Sequence, residues 1–341
     1  MEFGLISIIV FVILVVINGS TNAFIAEGIK FFDPGVLMFY RYFFAFVLSI
    51  IIFIFRYIID HNGLRNALSS LFSHERKKLY FLLLGGIFSV GMPSSLISTG
   101  QKWVSSASAQ LMNPIASASG ALFSHFFLSD EKFSNFKLYS LLSAITGVGF
   151  TSIPLFNHAS NNTSTGSNSM LIGFLLVFFG TVMIGLYPGL LKLKVPDMDI
   201  SLSIVFQLLS AVIYYIIWSL IFYDWETTKK TIKLPINYWI SPLVLGIIKS
   251  GLCLHGYMYL VGKIGSFGVN LLPFGQIIVG VSIGVLFLKE WKDYSFLEYT
   301  ISILGMLVLF LSLWFGLNDK KPQTKEQIQK KQEESSTIEE L

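Results

Sequence analysis

Apolar residues along this chain neither alternate with polar ones at the period of a strand nor keep to one side of a helix. They fill whole stretches of about 20 residues, the length an α-helix needs to cross a hydrocarbon core of about 30 Å. Ten such stretches are predicted, over approximately 3–26, 36–55, 79–98, 103–126, 137–155, 170–191, 200–223, 240–260, 265–288 and 296–316. They divide five and five around the tract Asn157 to Ser169, whose asparagines, serines and threonines bury too little apolar surface to pack. Beyond Phe315 the chain turns charged and should be solvated and disordered. The expected fold is an all-α membrane protein of ten transmembrane helices: a five-helix repeat at 1–156, a polar non-cytoplasmic linker at 157–169, a second five-helix repeat at 170–316 and a cytoplasmic tail at 317–341.

One step in the pattern occurs twice. Pro114 is followed seventeen residues later by Glu131, Pro273 is followed seventeen later by Glu290, and corresponding residues are 159 apart. The halves therefore read as related, each contributing a broken or kinkable helix to a shared centre. Small residues crowd the first of these spans, from Ser105 to Ala109 and from Ala116 to Ala121, and Gly185, Gly189, Gly280 and Gly284 offer further faces for close helix contact.

Composition sharpens the class and charge sets the topology. Hydrophobic residues make up 53% of the 341 and charged residues 13%, outside the balance of a soluble domain. The single cysteine, Cys253, excludes a disulfide framework or a Cys-rich metal site. With the N-terminus inside, cytoplasmic segments hold fifteen Lys and Arg residues and the opposite side seven, so both termini are expected in the cytoplasm. An odd number of spans per half then makes the second repeat enter from the other side, inverted relative to the first. The linker emerges outside, where Asn161 and Asn162 begin overlapping glycosylation sequons. A plasma-membrane or endomembrane location fits equally.

The residues also resemble a known family. Asn18-Gly19 with Lys30, the aromatic-flanked Arg41, the small-residue run before Pro114 and Glu131, and Gly147 and Gly149 occur in the order of one repeat; Gly180, Lys192, Gly265-Ser266, Pro273, Glu290 and Gly305 answer in the second. Over roughly residues 3 to 316 the chain resembles the drug/metabolite transporter superfamily of the type built from two EamA domains. Asn18 replaces the family's usual Trp, and the seventh span has no Arg. The resemblance implies a carrier for a small metabolite, with a central cavity between the halves.

Candidate site residues follow from depth. Lys249 lies nine residues into its span, about 13 Å along the axis at 1.5 Å per residue, too deep for its stem to snorkel to water. It is expected to face the cavity and bind an anionic group, the alternative being a structural partner such as a backbone carbonyl. Arg41 is only five residues into its span and is expected to reach the interface. Asn113, Asn270, Gln276, Asn18 and Tyr187 suit hydrogen bonding to a polar solute, or to neighbouring helices, and Pro114 and Pro273 are candidate gating positions. No carboxylate lies deep in a span, which favours a facilitator or exchanger over proton coupling. With Lys249 as the one deep cation, the pattern leans toward anions but against a diphosphate. Neither a catalytic constellation nor metal-ligand spacing is present, so no enzyme, cofactor or metal is expected. The expected partners are a small-molecule metabolite and the lipid bilayer, with no nucleic acid; a homodimer stays open. The expected function is transport of a small polar, anionic metabolite by alternating access. The alternatives are a nucleotide-sugar or phosphorylated-solute antiporter, or a non-transporting receptor or assembly protein.

Overall fold

The computed structural model describes residues 5–60, 63, 65, 69, 72, 76–127, 135–161, 167–194, 199–222, 231–257, 259–260, 272–292 and 294–317. Helices dominate, and no strand occurs among the described residues. In the first half, α1 covers Leu5–Gly28 and α2 covers Pro34–Ile59. Helix α3 is composite: α-helical over Arg76–Gly86, π-helical over Ile87–Gly91 and α-helical again over Met92–Gly100. Helices α4 (Ser106–Leu111) and α5 (Asn113–Phe127) are two pieces of the predicted fourth span, divided at Met112, and α6 is Asn135–Asn161. In the second half, α7 is Ser167–Lys194 and α8 is Ile200–Phe222. Helix α9 passes from a 3-10 turn (Ile236–Trp239) through Ile240–Leu243 into a π-helix (Val244–Leu252) and on to residue 257. Helices α10 (Leu272–Leu286) and α11 (Phe296–Leu317) complete the chain.

The fold is that of an all-α membrane protein. Six stretches among the described residues are long and apolar enough to span: Leu5–Gly28, Pro34–Ile59, Lys77–Gly100, Asn168–Tyr187, Ser201–Phe222 and Ile236–Tyr257. Leu138–Pro154, Gly275–Leu286 and Phe296–Ser312 are shorter apolar stretches, and the fourth predicted span, divided into α4 and α5, joins neither group. Helix α6 runs as far as Asn161 and α7 begins at Ser167, so both helices extend into the tract expected to be linker. Asn162, Glu131, Asn270 and the tail from 318 lie outside the described residues.

The helices are inside-out relative to a soluble protein. Helix α1 exposes Leu5, Ile8, Ile9, Val12, Ile13 and Val16, a stripe at helical spacing, while Ser7, Gly19 and Asn22 are buried. Lipid accepts the apolar stripe, and polar side chains are left to satisfy one another within the bundle. At one rim, Phe32, Tyr40 and Phe44 pack edge-on against Trp239, the kind of aromatic cluster that seats a helix end at a membrane interface.

Equivalent helices of the two halves pair antiparallel. In α2 and α8, Tyr42 stacks on Tyr215 while Arg56 pairs with Asp199 at 2.9 Å. Between α4 and α10, a Cβ on Gly280 would meet Gln110 at 2.3 Å and one on Gly284 would meet Ala107 at 2.9 Å. Along α6 and α11, Ser140 donates to the Ser312 carbonyl at 2.8 Å and a Cβ on Gly147 would lie 2.9 Å from the Gly305 carbonyl. Residue numbers rise on one helix as they fall on its partner, so the second, fourth and fifth spans of one half run opposite to those of the other. The repeats are inverted.

The halves also share a local irregularity. Shifted by the 159-residue offset, the π segment of α3 falls on 246–250, inside the π segment of α9. In each, an N–H bonds back across five residues, Met92 to Ile87 and Cys253 to Ile248. In α3 the cause is adjacent: Pro93 has no N–H to continue the ladder. Such π turns concentrate at functional sites. Pro114 is the second residue of α5, where a missing N–H costs nothing, and Pro273 lies at the start of the described part of α10. Pro114 starts a helix after the break at Met112 and does not kink a continuous one; the residues preceding α10 lie outside the described ones.

Candidate functional site

Two cations sit deep between the halves. Lys249, half-buried in the π segment of α9, donates from Nζ to Oδ1 of Asn18 on α1. Asn18 donates its own Nδ2 to the Leu14 carbonyl at 2.7 Å, which turns its amide oxygen toward the lysine. Arg41 corrects an expectation. It was expected to reach the interface, yet it is only 7% exposed, because α2 lies flush against α9. Gly246 permits that approach: a Cβ there would lie 2.7 Å from the Arg41 carbonyl. The Arg41 Nε donates to Ser250 Oγ at 2.8 Å, an Nη contacts Met38 Sδ at 3.7 Å, and the guanidinium carbon stands 4.9 Å from the Tyr42 ring centre. Ser250 follows Lys249 directly, so Arg41 of α2 is anchored to the turn of α9 that carries Lys249.

Hydroxyl groups form the adjoining wall. Tyr42 Oη and Ser94 Oγ are 2.5 Å apart, Ser95 donates to Tyr215 Oη at 3.1 Å, and Tyr215 donates to the carbonyl of Gly91 at 2.8 Å. Gly91 is the last residue of the π segment of α3. The network therefore links α2, α8 and that irregular turn.

An amide relay continues from α1. Asn22, one turn beyond Asn18, donates to Gln110 Oε1 at 2.7 Å and accepts from Gln101 Nε2 at 2.8 Å. Gln101 Oε1 and Gln110 Nε2 are buried with no partner. Buried polar atoms in native folds almost always have a partner, so these orphans mark a place for a water or a solute. A cavity of about 560 Å³ opens beside the relay, lined by Lys30, Gln101, Lys102, Trp103, Ser106 and Glu290 among others. Glu290, the second glutamate of the repeated step, accepts from the N–H groups of Ser106 and Ala107 at 2.8 Å each. It caps the start of α4, neutralising donors that have no helical partner. Its counterpart Glu131 lies outside the described residues.

Of the residues singled out from sequence, Lys249 and Asn18 are brought together. Tyr187 turns its hydroxyl toward Ser89, yet each oxygen is buried without a hydrogen bond of good geometry. Asn113 is half-buried at the start of α5 and Gln276 half-buried on α10, and neither is joined to Lys249. Asn270 lies outside the described residues. Sequence reasoning missed Arg41 because it measured depth from the end of the span and ignored the facing helix. The signal that could have found it is the run Phe39-Tyr40-Arg41-Tyr42, aromatic faces on both sides of a cation.

Comparison with known proteins agrees with this architecture. Residues 5–153, from α1 into α6, match the EamA-like transporter family. No curated protein matches the chain significantly. A solved structure described as a crystal structure of a protein superposes with a TM-score of 0.59 at 15% identity, over 89% of this chain and 97% of that one. At that identity the likeness is one of fold.

Proposed function

We infer that this chain, whose residues 5–153 are of the EamA-like transporter kind, is a membrane transporter that moves a small polar, anionic metabolite by alternating access. The observation that carries the reading is Lys249, a cation held by Asn18 where α1 of one half meets α9 of the other. A cation at that depth is costly unless it meets a counter-charge or water, so cations in this setting mark solute pathways. The inverted repeats give a means of exposing one site to either side in turn. The orphaned amides of Gln101 and Gln110 supply the hydrogen bonding that orients a polar solute. With no deep carboxylate among the described residues, the carrier works as a facilitator or exchanger.

The test is uptake into proteoliposomes loaded and bathed with pools of labelled polar metabolites. Lys249→Met, which keeps bulk and removes charge, should abolish uptake of the anionic substrate while the protein remains inserted. Unchanged kinetics in a correctly inserted variant would remove Lys249 from the site.

A further inference from the structure

Arg41 and Lys249 pose a charge problem. Ser250, the residue after Lys249, ties the arginine to the turn that carries the lysine. Among the described residues every hydrogen-bond partner of the two is neutral: Ser250 and the Met38 sulfur for Arg41, Asn18 for Lys249. Among the described residues no carboxylate pairs with either; the ion pairs lie elsewhere, at Lys30 with Glu27, Arg56 with Asp199 and Lys102 with Asp33. Like charges held at membrane depth without counter-ions are costly, and cations in that setting ordinarily pair or face a pathway. Arg41 is also incompletely used. A guanidinium offers five N–H donors, of which one goes to Ser250 and one to a weakly accepting sulfur. The remaining fork has the geometry that binds two oxygens of one oxyanion.

We propose that Arg41 is the second cation of the substrate site, and that the transported solute is a doubly charged oxyanion whose charges are met by Lys249 on one side and the Arg41 fork on the other. This rests on the reading of Lys249 as a substrate ligand and narrows it. The solute neutralises both cations on entry. A singly charged analogue of the same shape leaves one of them uncompensated and binds more weakly. The Tyr42 ring and the Ser250 hydroxyl hold the guanidinium in place before the solute arrives, so little side-chain freedom is lost on binding.

The test uses purified full-length protein in detergent at pH 8 and two matched pairs of probes: succinate with its monoamide succinamate, and methyl phosphate with dimethyl phosphate. Each is titrated against the thermal unfolding midpoint. At this pH the first member of each pair is a dianion and the second a monoanion. In the parent protein the dianion of at least one pair should bind at least about tenfold tighter than its partner. Arg41→Gln should bring the two within about threefold while keeping the monoanion affinity, and Lys249→Met should weaken both. Arg41→Lys, which keeps the charge and serves if the glutamine variant does not fold, should retain the dianion preference. A folded Arg41→Gln that still prefers the dianion overturns the proposal, as does a folded Arg41→Lys that has lost the preference. A parent protein that binds mono- and dianions alike, and loses both in Lys249→Met, overturns the role of Arg41 and leaves the anion-transport reading standing. A parent stabilised by none of the four probes overturns both.

Discussion

At the scale of single residues, the chemistry divides into side chains that hold helices and side chains left facing the site. Glu290 belongs to the first kind. Its two bonds to the N–H groups of Ser106 and Ala107 are charge-assisted, and Glu290→Ala should cost about 2 kcal/mol of stability, read as a lowered unfolding midpoint in detergent. Gly185 belongs there too. A Cβ at that position would stand 2.0 Å from the Ala116 carbonyl and 2.1 Å from Ser119 Oγ, so Gly185→Val should force α5 and α7 apart at a cost of about 3 kcal/mol and lower the yield of folded protein. Lys249 was legible in the sequence because depth along a helix is a matter of counting. Arg41 was not, because its burial depends on which helix lies against α2, and Gly246, which decides that, is 205 residues away. The glutamine relay was visible only as a scatter of polar residues; its partners come from three separate elements.

Among the elements, the repeated proline was legible as a feature, while the local structure around it was not. Spacing located Pro114 and Pro273 but could not tell a kink within a helix from the first turn of a new one. At Pro114 the chain breaks at Met112, whose N–H reaches the carbonyls of Ala109 and Gln110 before α5 begins. Pro114→Ala should allow α4 and α5 to join, because the missing donor is restored, and should slow exchange between the two faces while substrate binding persists. Single-cysteine accessibility from each side is the measurement; labelling identical to the parent makes the break purely architectural. The paired π segments had no signal in the sequence beyond Pro93, since a five-residue hydrogen bond is chosen by packing and not by propensity.

For the whole molecule, apolar run lengths and the doubled step predicted helices in two halves, and the antiparallel pairing of α2 with α8, α4 with α10 and α6 with α11 bears out their inversion. Orientation in the membrane rests on charge. A protease added to sealed vesicles with the cytoplasmic face outward should remove the tail beyond 317 and spare the segment around 157–169, and cleavage at that segment would reverse the assignment.

Inversion implies that any contact has a counterpart in the other half, and one such couple is unequal. Helix α3 meets α7 at backbone level, where a Cβ on Gly100 would lie 2.6 Å from the Gly173 carbonyl. The corresponding meeting of α9 with α1 is tight at Gly28, where a Cβ would lie 2.5 Å from Ser241 Oγ, but relaxes toward Gly256, where the nearest Leu14 atom is 3.4 Å away. If the halves trade roles during a cycle, the looser seam zips as the tighter one parts, so the asymmetry of one snapshot forecasts the geometry of its successor. Spin labels spanning each seam should then report opposite changes in distance when the solute gradient is reversed, and two distances moving in the same sense would show a molecule that breathes without trading roles.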